Sequence, residues 1–445
     1  MLTRIEIDGF KTFKNFSLDF EPLTAIVGPN ASGKSNLFDA IRFLSRLAQS
    51  DIRSAMTELR GQPEELFRQT AAGASETIKF AVEVFLDPTG KDSFGTSYQV
   101  KAQRLRYELH LGLLRNSDGH ARSVVVTHER CGPIKKSDDR AQYLRGVKIS
   151  YNANVSDFIR QSEDRSAIEV RQDGRQKHGK PMKFSIEEAS RSALSTITTA
   201  EFPHLYALRE FLGNIKFLEI NPQSARRSND IFEERYLKPD ASNLSAVLAR
   251  LKDETGNADR PDGVLADIAA DLSALIPAVT TLDVQNDPTK RQYAFSIGFA
   301  GDLTFSSRVI SDGTLRLLAL LTLLNDPDRK GTLCFEEPEN GVHEGRIPML
   351  VQILRAAANF WLENADVGSF QVLINTHSPK VMSNLHDNEI VAADMVVDID
   401  AAQHSREMRT RMRSGLSRET DLFDVEHNLT RFEVERLLQD SSAMA

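Results

Sequence analysis

The chain turns on "LTAIVGPNASGKSNLFDAIRFL", residues 23–44. "LTAIVG" holds a short apolar run of buried-strand length, and "SNLFDAIRFLSRLAQ" carries Leu37, Ile41, Leu44 and Leu47 at helical spacing. Between them "GPNASGKS", Gly28 to Ser35, matches G-x-x-x-x-G-K-[ST] in the strand-to-helix context that a phosphate-binding loop needs. Its glycines let backbone N–H groups converge on phosphate oxygens, and the helix start adds positive potential. Lys34 is expected to reach the β and γ phosphates of a nucleotide, and Ser35 to offer its hydroxyl to Mg²⁺. The competing reading is a glycine-rich turn carrying an exposed lysine.

A phosphate loop that uses Mg²⁺ needs an acid at the end of a neighbouring strand, and "TLCFEEPENG" at Thr332–Gly341 supplies two. Adjacent carboxylates at the edge of a core repel each other and resist desolvation, so a pair there calls for a cation. Glu336 is the expected metal partner, directly or through water, together with Ser35. Glu337, one residue on, is the expected base that polarises an attacking water. The bland alternative is a strand end fraying into solvent.

Two more pieces follow the same logic. In "ISDGTLRLLALLTLL" either Ser311 or Asp312 can cap a helix starting near Thr314, and Gly313 lets another surface approach the backbone. A helix start of this kind is an anion site, although a capped core helix is the commoner meaning of such a pattern. "LINTHSP" is a buried strand ending at His377, a candidate sensor of the γ phosphate.

Bulk properties bound the rest. With 445 residues the chain suits two or three packed subdomains, and 40% hydrophobic with 27% charged residues is ordinary for a soluble protein. A net charge of −8 gives nucleic-acid binding no overall support, so such binding would need a local patch. Two stretches are locally basic: Lys101 to Lys148, and "HSREMRTRMRSGLSR" at His404–Arg418, where Arg406, Arg409 and Arg413 fall on helical spacing. A solvated face is the plain reading of both, and a contact for nucleic acid or an acidic partner the functional one. Cys131 and Cys334 form neither a disulfide framework nor a zinc site. The absence of a signal-peptide pattern and of any long apolar run predicts a cytoplasmic protein without a membrane role.

Strand and helix patterns alternate at both ends of the chain, with a different character between them. The expected fold is α/β, one domain made from both termini with a mixed insertion of strands and then helices. The expected boundaries are an N-terminal lobe at 1–90, an insertion at 91–290, a C-terminal lobe at 291–400 and a basic tail at 401–445.

In this order the motifs resemble the P-loop NTPase heads of ABC-ATPase type found in the structural-maintenance-of-chromosomes and RecF-like group. "IDGFKTF" and "LTAIVGPNASGKSNLFDAIRFL" look like the N-terminal lobe of such a discontinuous head, with Ala31 where a glycine is usual. "ISDGTLR" is similar to the signature loop, "LCFEEPENGVH" to the Walker B and D-loop segment, and "NTHSP" to the switch-histidine motif. Glu336 stands where that superfamily usually has Asp, and His343 where transporters carry the D-loop Asp. The chain most resembles stand-alone bacterial ATPases of the AAA-21 and AAA-15 type, many of which accompany nucleases in Septu-like and OLD-like antiphage systems.

The resemblance implies ATP and Mg²⁺ as cofactors, with Gly28, Pro29, Asn30, Ala31, Ser32, Gly33, Lys34, Ser35 and Asn36 contacting nucleotide. It implies Glu337 and His377 as catalytic residues. Ser311 and Gly313 would meet ATP held by a second copy, which makes the working unit a homodimer or higher oligomer. Three functions compete: an ATPase controlling a partner effector of nuclease type in antiviral defence, a RecF-like ATPase that clamps DNA, and an ATP-binding scaffold with little turnover. Asp398 and Asp400 in "DMVVDIDA" hint at an in-chain Toprim nuclease, but no upstream glutamate segment suits that fold.

Overall fold

The computed structural model describes residues 1–70, 73–118, 121–145, 147–151, 156–173, 181–358, 369–400, 405–416 and 429–442. It divides into two compact units. The first holds Met1–Ile215 and the chain from Asp387; the second runs from Lys216 through the helix Ile347–Ala357 and takes in Phe370–His386.

The first unit is built on an eight-stranded antiparallel sheet. Its order is Met182–Ser185, Ala167–Val170, Ile159–Gln161, Ala121–Pro133, Arg104–Arg115, Thr77–Phe85, Leu2–Asp8 and Phe16–Asp19. The strands before residue 90 and those after it are thus one continuous sheet. Its apolar face takes the helix Lys34–Leu47 through an aromatic cluster, with Phe10, Phe43 and Phe80 at centroid distances of 5.6–6.1 Å. Across the strands runs a row of ion pairs: Asp19 to Arg4, Arg4 to Glu6, Glu6 to Arg106, Arg106 to Glu108, Glu108 to Arg130 and Arg130 to Asp157. Opposite charges at cross-strand spacing stabilise a sheet face and help fix its register. Two of the basic residues in Lys101–Lys148, Arg106 and Arg130, are engaged here. Arg104, fully buried, is gripped by both carboxylate oxygens of Asp139 at 2.7 and 2.9 Å.

The same unit contains the strand Leu23–Val27, buried at every residue, as a strand covered on both faces must be. It pairs in parallel with Ile390–Asp400, which pairs antiparallel with Ser405–Ser414. The helical spacing read for Arg406, Arg409 and Arg413 is therefore corrected. The segment is a strand, and its operative period is two. Arg411 and Arg413 bond to Asp394 on the paired strand, while Thr410 is turned toward Thr12. His404, Ser417 and Arg418 lie outside the described residues, as do the side chains of Asp398 and Asp400, whose backbones end the strand Ile390–Asp400.

The second unit holds three parallel strands in the order Lys216–Leu218, Gly331–Glu336, Phe370–Thr376. With them go the helices Asp312–Leu324 and Ile347–Ala357. The helices Leu244–Thr255 and Val264–Leu275 pack on a second, antiparallel sheet of Val279–Asp287, Gln292–Phe299, Leu303–Ser306 and Asn229–Asp230. Cys131 and Cys334 are buried and form no disulfide. No helix among the described residues is long and apolar enough to cross a membrane.

One buried group ties the large sheet of the first unit to the segment beyond it. Glu129, fully buried in the strand Ala121–Pro133, accepts the backbone N–H groups of Ala193 (2.6 Å) and Leu194 (2.9 Å) and the Tyr107 hydroxyl (3.0 Å). Burial pushes its carboxyl up to about 7, against the pull of those three donors. A carboxyl raised in the folded state contributes most stability below its unfolded value and loses it as pH rises through the folded one. Unfolding free energy of the wild type should therefore fall between roughly pH 4.5 and 7 by up to about 3 kcal/mol more than that of Glu129→Gln. Urea titrations of both proteins across that range check it; parallel curves would exclude the effect.

Candidate functional site

In the first unit the loop Gly28–Gly33 joins the strand Leu23–Val27 to the helix Lys34–Leu47, as the sequence motif requires. The C-terminal strands shape it. A Cβ on Gly28 would lie 2.2 Å from the Ala393 carbonyl oxygen, and one on Gly33 would lie 2.0 Å from Thr410 Oγ1. Gly33 also has φ +91°, a region glycine enters without strain. Ala31 adopts φ +62°, the left-handed backbone for which a glycine is the usual choice at that position.

Lys34 turns its ammonium back onto the loop, donating to the carbonyls of Gly28 (2.7 Å) and Pro29 (2.6 Å). The Ser32 hydroxyl is buried with no hydrogen-bond partner among the described residues. A lysine curled over its own loop and an unsatisfied buried hydroxyl are what a site for phosphate oxygens presents. Asn30 and Ala31 are exposed at the loop's tip. Asn36 spends its side-chain amide on Thr12 (3.0 Å), whose hydroxyl meets that of Thr410 at 2.6 Å. Thr12 and Thr410 thus brace the first turn of the helix, a role that sequence reading did not assign to them.

In the second unit Glu336 closes the strand Gly331–Glu336, and Glu337 leaves it with φ +47°. That turn swings the second carboxylate away from the strand direction. The Glu337 N–H donates to the Asn375 carbonyl at 3.0 Å, so the kink is held by the neighbouring strand. His377 Nδ1 lies 3.0 Å from Glu337 Oε1, and Asn340 Nδ2 donates to Oε2 at 2.8 Å. A carboxylate only accepts, so the imidazole presents its Nδ1 proton. The two partners aim Glu337 from either side.

Glu339 is a residue the sequence reading missed. It bonds the Thr376 hydroxyl, its other oxygen is buried with no partner among the described residues, and burial raises its carboxyl above the ordinary range despite the Thr376 bond. The signal was a third acid two residues beyond the pair, in "EEPE". His343, standing where transporters have Asp, still behaves as a capping group, its Nδ1 accepting from the Gly345 N–H at 3.2 Å.

Of the two caps left open for the helix Asp312–Leu324, the structure selects Ser311, whose oxygen accepts from the Thr314 N–H at 3.2 Å. Gly313 faces Gly341 backbone to backbone, and a Cβ on Gly313 would stand 3.1 Å from the Gly341 Cα. Arg316 of the same helix lies over the Phe335 ring at 5.6 Å, with Nη2 3.5 Å from the Glu336 carbonyl oxygen. Ser311, Gly313, Glu336, Glu337 and His377 therefore belong to one unit and share neighbouring elements.

The family model AAA_21, described as "AAA domain, putative AbiEii toxin, Type IV TA system", matches residues 23–383. The chromosome partition protein Smc of Halothermothrix orenii is 58% identical over 45 residues, 10% of this chain and 4% of that protein. The OLD nuclease of Thermus scotoductus is 22% identical over 160 residues, 36% of this chain and 28% of that protein. The chain therefore spans only a small part of the length of these relatives. Among solved structures, an SmcHead bound to the C-winged helix domain of ScpA aligns over 93% of this chain and 97% of its own, with 13% identity and a TM-score of 0.49.

The strained backbone at Glu337 has a measurable consequence. Left-handed conformation costs a side-chain-bearing residue roughly 1–2 kcal/mol that glycine does not pay. Glu337→Ala and Glu337→Gly both lose the bonds to His377 and Asn340, so their difference isolates the backbone term. Glu337→Gly should be the more stable by about 1 kcal/mol in chemical denaturation; equal or reversed stabilities would remove the strain from the account.

Proposed function

The chain belongs to the AAA_21 family, ABC-type ATPases of the structural-maintenance-of-chromosomes and RecF-like group, and from that membership we propose that it binds ATP with Mg²⁺ and hydrolyses it. The observation that carries turnover, rather than binding alone, is Glu337 held between His377 and Asn340. A scaffold that only bound nucleotide would gain nothing from a carboxylate kept in a strained conformation and aimed by two donors.

The roles follow from the chemistry of each group. Residues Gly28 to Asn36 wrap the phosphates, and Lys34 exchanges its bonds to the loop carbonyls for bonds to phosphate oxygens. The hydroxyl of Ser35 and the carboxylate of Glu336 are hard oxygen donors suited to Mg²⁺, which when bound neutralises phosphate charge. Glu337 takes the proton of the attacking water, and His377 keeps that carboxylate oriented while sensing the γ phosphate. Expected effects are strong loss of nucleotide binding in Lys34→Ala and retained binding with turnover lowered ~10²–10⁴-fold in Glu337→Gln. Equilibrium binding of a fluorescent ATP analogue and phosphate release measure the two. Unchanged affinity and turnover in Lys34→Ala would overturn the reading, and normal turnover in Glu337→Gln would move the base elsewhere.

We propose further that two copies close head to head around ATP, and that closure controls a partner effector of nuclease class in an antiphage system. The capped helix start at Ser311 supports the first part, because its N–H groups suit phosphate and the phosphate loop already has a helix start of its own. Such a pairing is isologous, each copy giving its phosphate loop to one ATP and its signature loop to the other. The likeness to OLD nuclease and the toxin named in the family description support the second part. Lys34→Ala and Ser311→Arg chains, each inactive alone, should regain part of the wild-type rate when mixed, since a mixed dimer carries one site with neither change. Mixed dimers that form and stay inactive would exclude independent composite sites.

A further inference from the structure

The signature loop of this chain reads Ser311-Asp312-Gly313, which places a carboxylate between the two residues proposed to meet phosphate. A first-turn acid suits a helix dipole, but at a helix start meant for a triphosphate it sets like charge against like charge. The structure supplies a counter-charge from a distant part of the sequence. Arg226 follows the short helix Pro222–Ala225, and its Nη2 donates both to the Ile310 carbonyl (2.7 Å) and to Asp312 Oδ1. The arginine is itself held in place: the Ser307 hydroxyl donates to the Arg226 carbonyl at 2.8 Å. The Arg226 side chain is 23% exposed and that of Asp312 68%, so the cation is the more buried member of the pair. On its other side the loop is fixed by the approach of Gly313 to Gly341.

We infer that Arg226 is a positioning residue for the signature loop, cancelling the charge of Asp312 so that the helix start at Ser311 can receive the phosphates of ATP. The inference rests on the ATPase reading above. Arg226 does not touch nucleotide; it acts through Asp312 and Ile310. Fixing the loop and removing its charge are separable, because the Ile310 bond serves only the first and the Asp312 bond serves both. Arginine suits the task because its fork offers several donors and keeps its charge at any working pH.

The test is a double-mutant cycle on steady-state ATP hydrolysis, with nucleotide affinity measured in parallel. In the wild-type background Arg226→Ala should lower turnover about tenfold or more, the order expected from one uncompensated charge near a phosphate at an intermediate dielectric. Equilibrium affinity for an ATP analogue in isolated chains should stay within about twofold, because the phosphate loop is untouched. In an Asp312→Asn background the same Arg226→Ala change should cost less than about threefold, since no charge remains to be cancelled. Arg226→Gln has no charge and is two bonds shorter than the arginine fork, but it keeps most of the aliphatic stem, and it answers the same question should Arg226→Ala fail to fold. Equal losses in both backgrounds would reduce Arg226 to a structural brace and overturn the inference, as would normal turnover of Arg226→Ala. A wild type that binds ATP without hydrolysing it would instead refute the parent reading, so the two failures are distinguishable.

Discussion

The parallel pairing of Leu23–Val27 with Ile390–Ala392 is the constraint on which the first unit depends. It joins strands from opposite ends of the chain. Closing so long a loop costs little more entropy than closing one half its length, so the insertion between them is thermodynamically cheap. The pairing then dictates the shape of the phosphate loop. Ala393 continues the partner strand and leaves no room for a side chain at Gly28, while Thr410 of the next strand leaves none at Gly33. Packing alone therefore requires the glycines of the motif. A substitution in the C-terminal strands can deform the loop without touching it.

In the second unit the analogous constraint is the turn at Glu337. Strand Gly331–Glu336 ends on the first acid, and the left-handed backbone at Glu337 turns the chain out of the strand at the second. From there the chain of contacts is short. Glu337 is bonded to Asn340, the next residue Gly341 lies against Gly313, and Gly313 follows Ser311 and Asp312 on the capped helix. The proposed base and the signature loop are thus linked within one packed cluster. Movement of one has a direct mechanical route to the other, which is the kind of coupled element that a conformational switch requires.

Local patterns carried most of this. The strand, loop and helix around Gly28–Ser35, the acids ending Gly331–Glu336, the cap at Ser311 and the strand ending before His377 each depend on residues within one or two turns of each other. What could not be read was set by partners far away in sequence. Nothing near Arg226 announces a partner at Asp312, and nothing near Thr410 announces Thr12. The segment Ser405–Ser414 misled because arginines three and four apart fit a helix. The strand pairing with Ile390–Asp400, and the carboxylate of Asp394 waiting on it, decided otherwise. Glu339 was overlooked for a different reason: its burial, not its position, sets it apart from an ordinary surface acid.

The disposition of the arginines also bears on what this protein contacts. Arg104, Arg106 and Arg130 are three of the basic residues in the stretch from Lys101, and all three are committed to carboxylates. A nucleic-acid backbone would have to displace Asp139, Glu6 and Asp157, each already in a charge-assisted bond of 2.6–2.8 Å. Breaking the Arg104 pair would also strand a buried charge, a penalty of roughly 3–5 kcal/mol that a surface phosphate contact does not recover. On a chain of net charge −8 this leaves the sheet face a structural lattice rather than an electrostatic landing surface. The same row sets four carboxylates against three arginines, which does not favour contact with a polyanion. The charge pattern thus weighs against a clamp that grips DNA through this face.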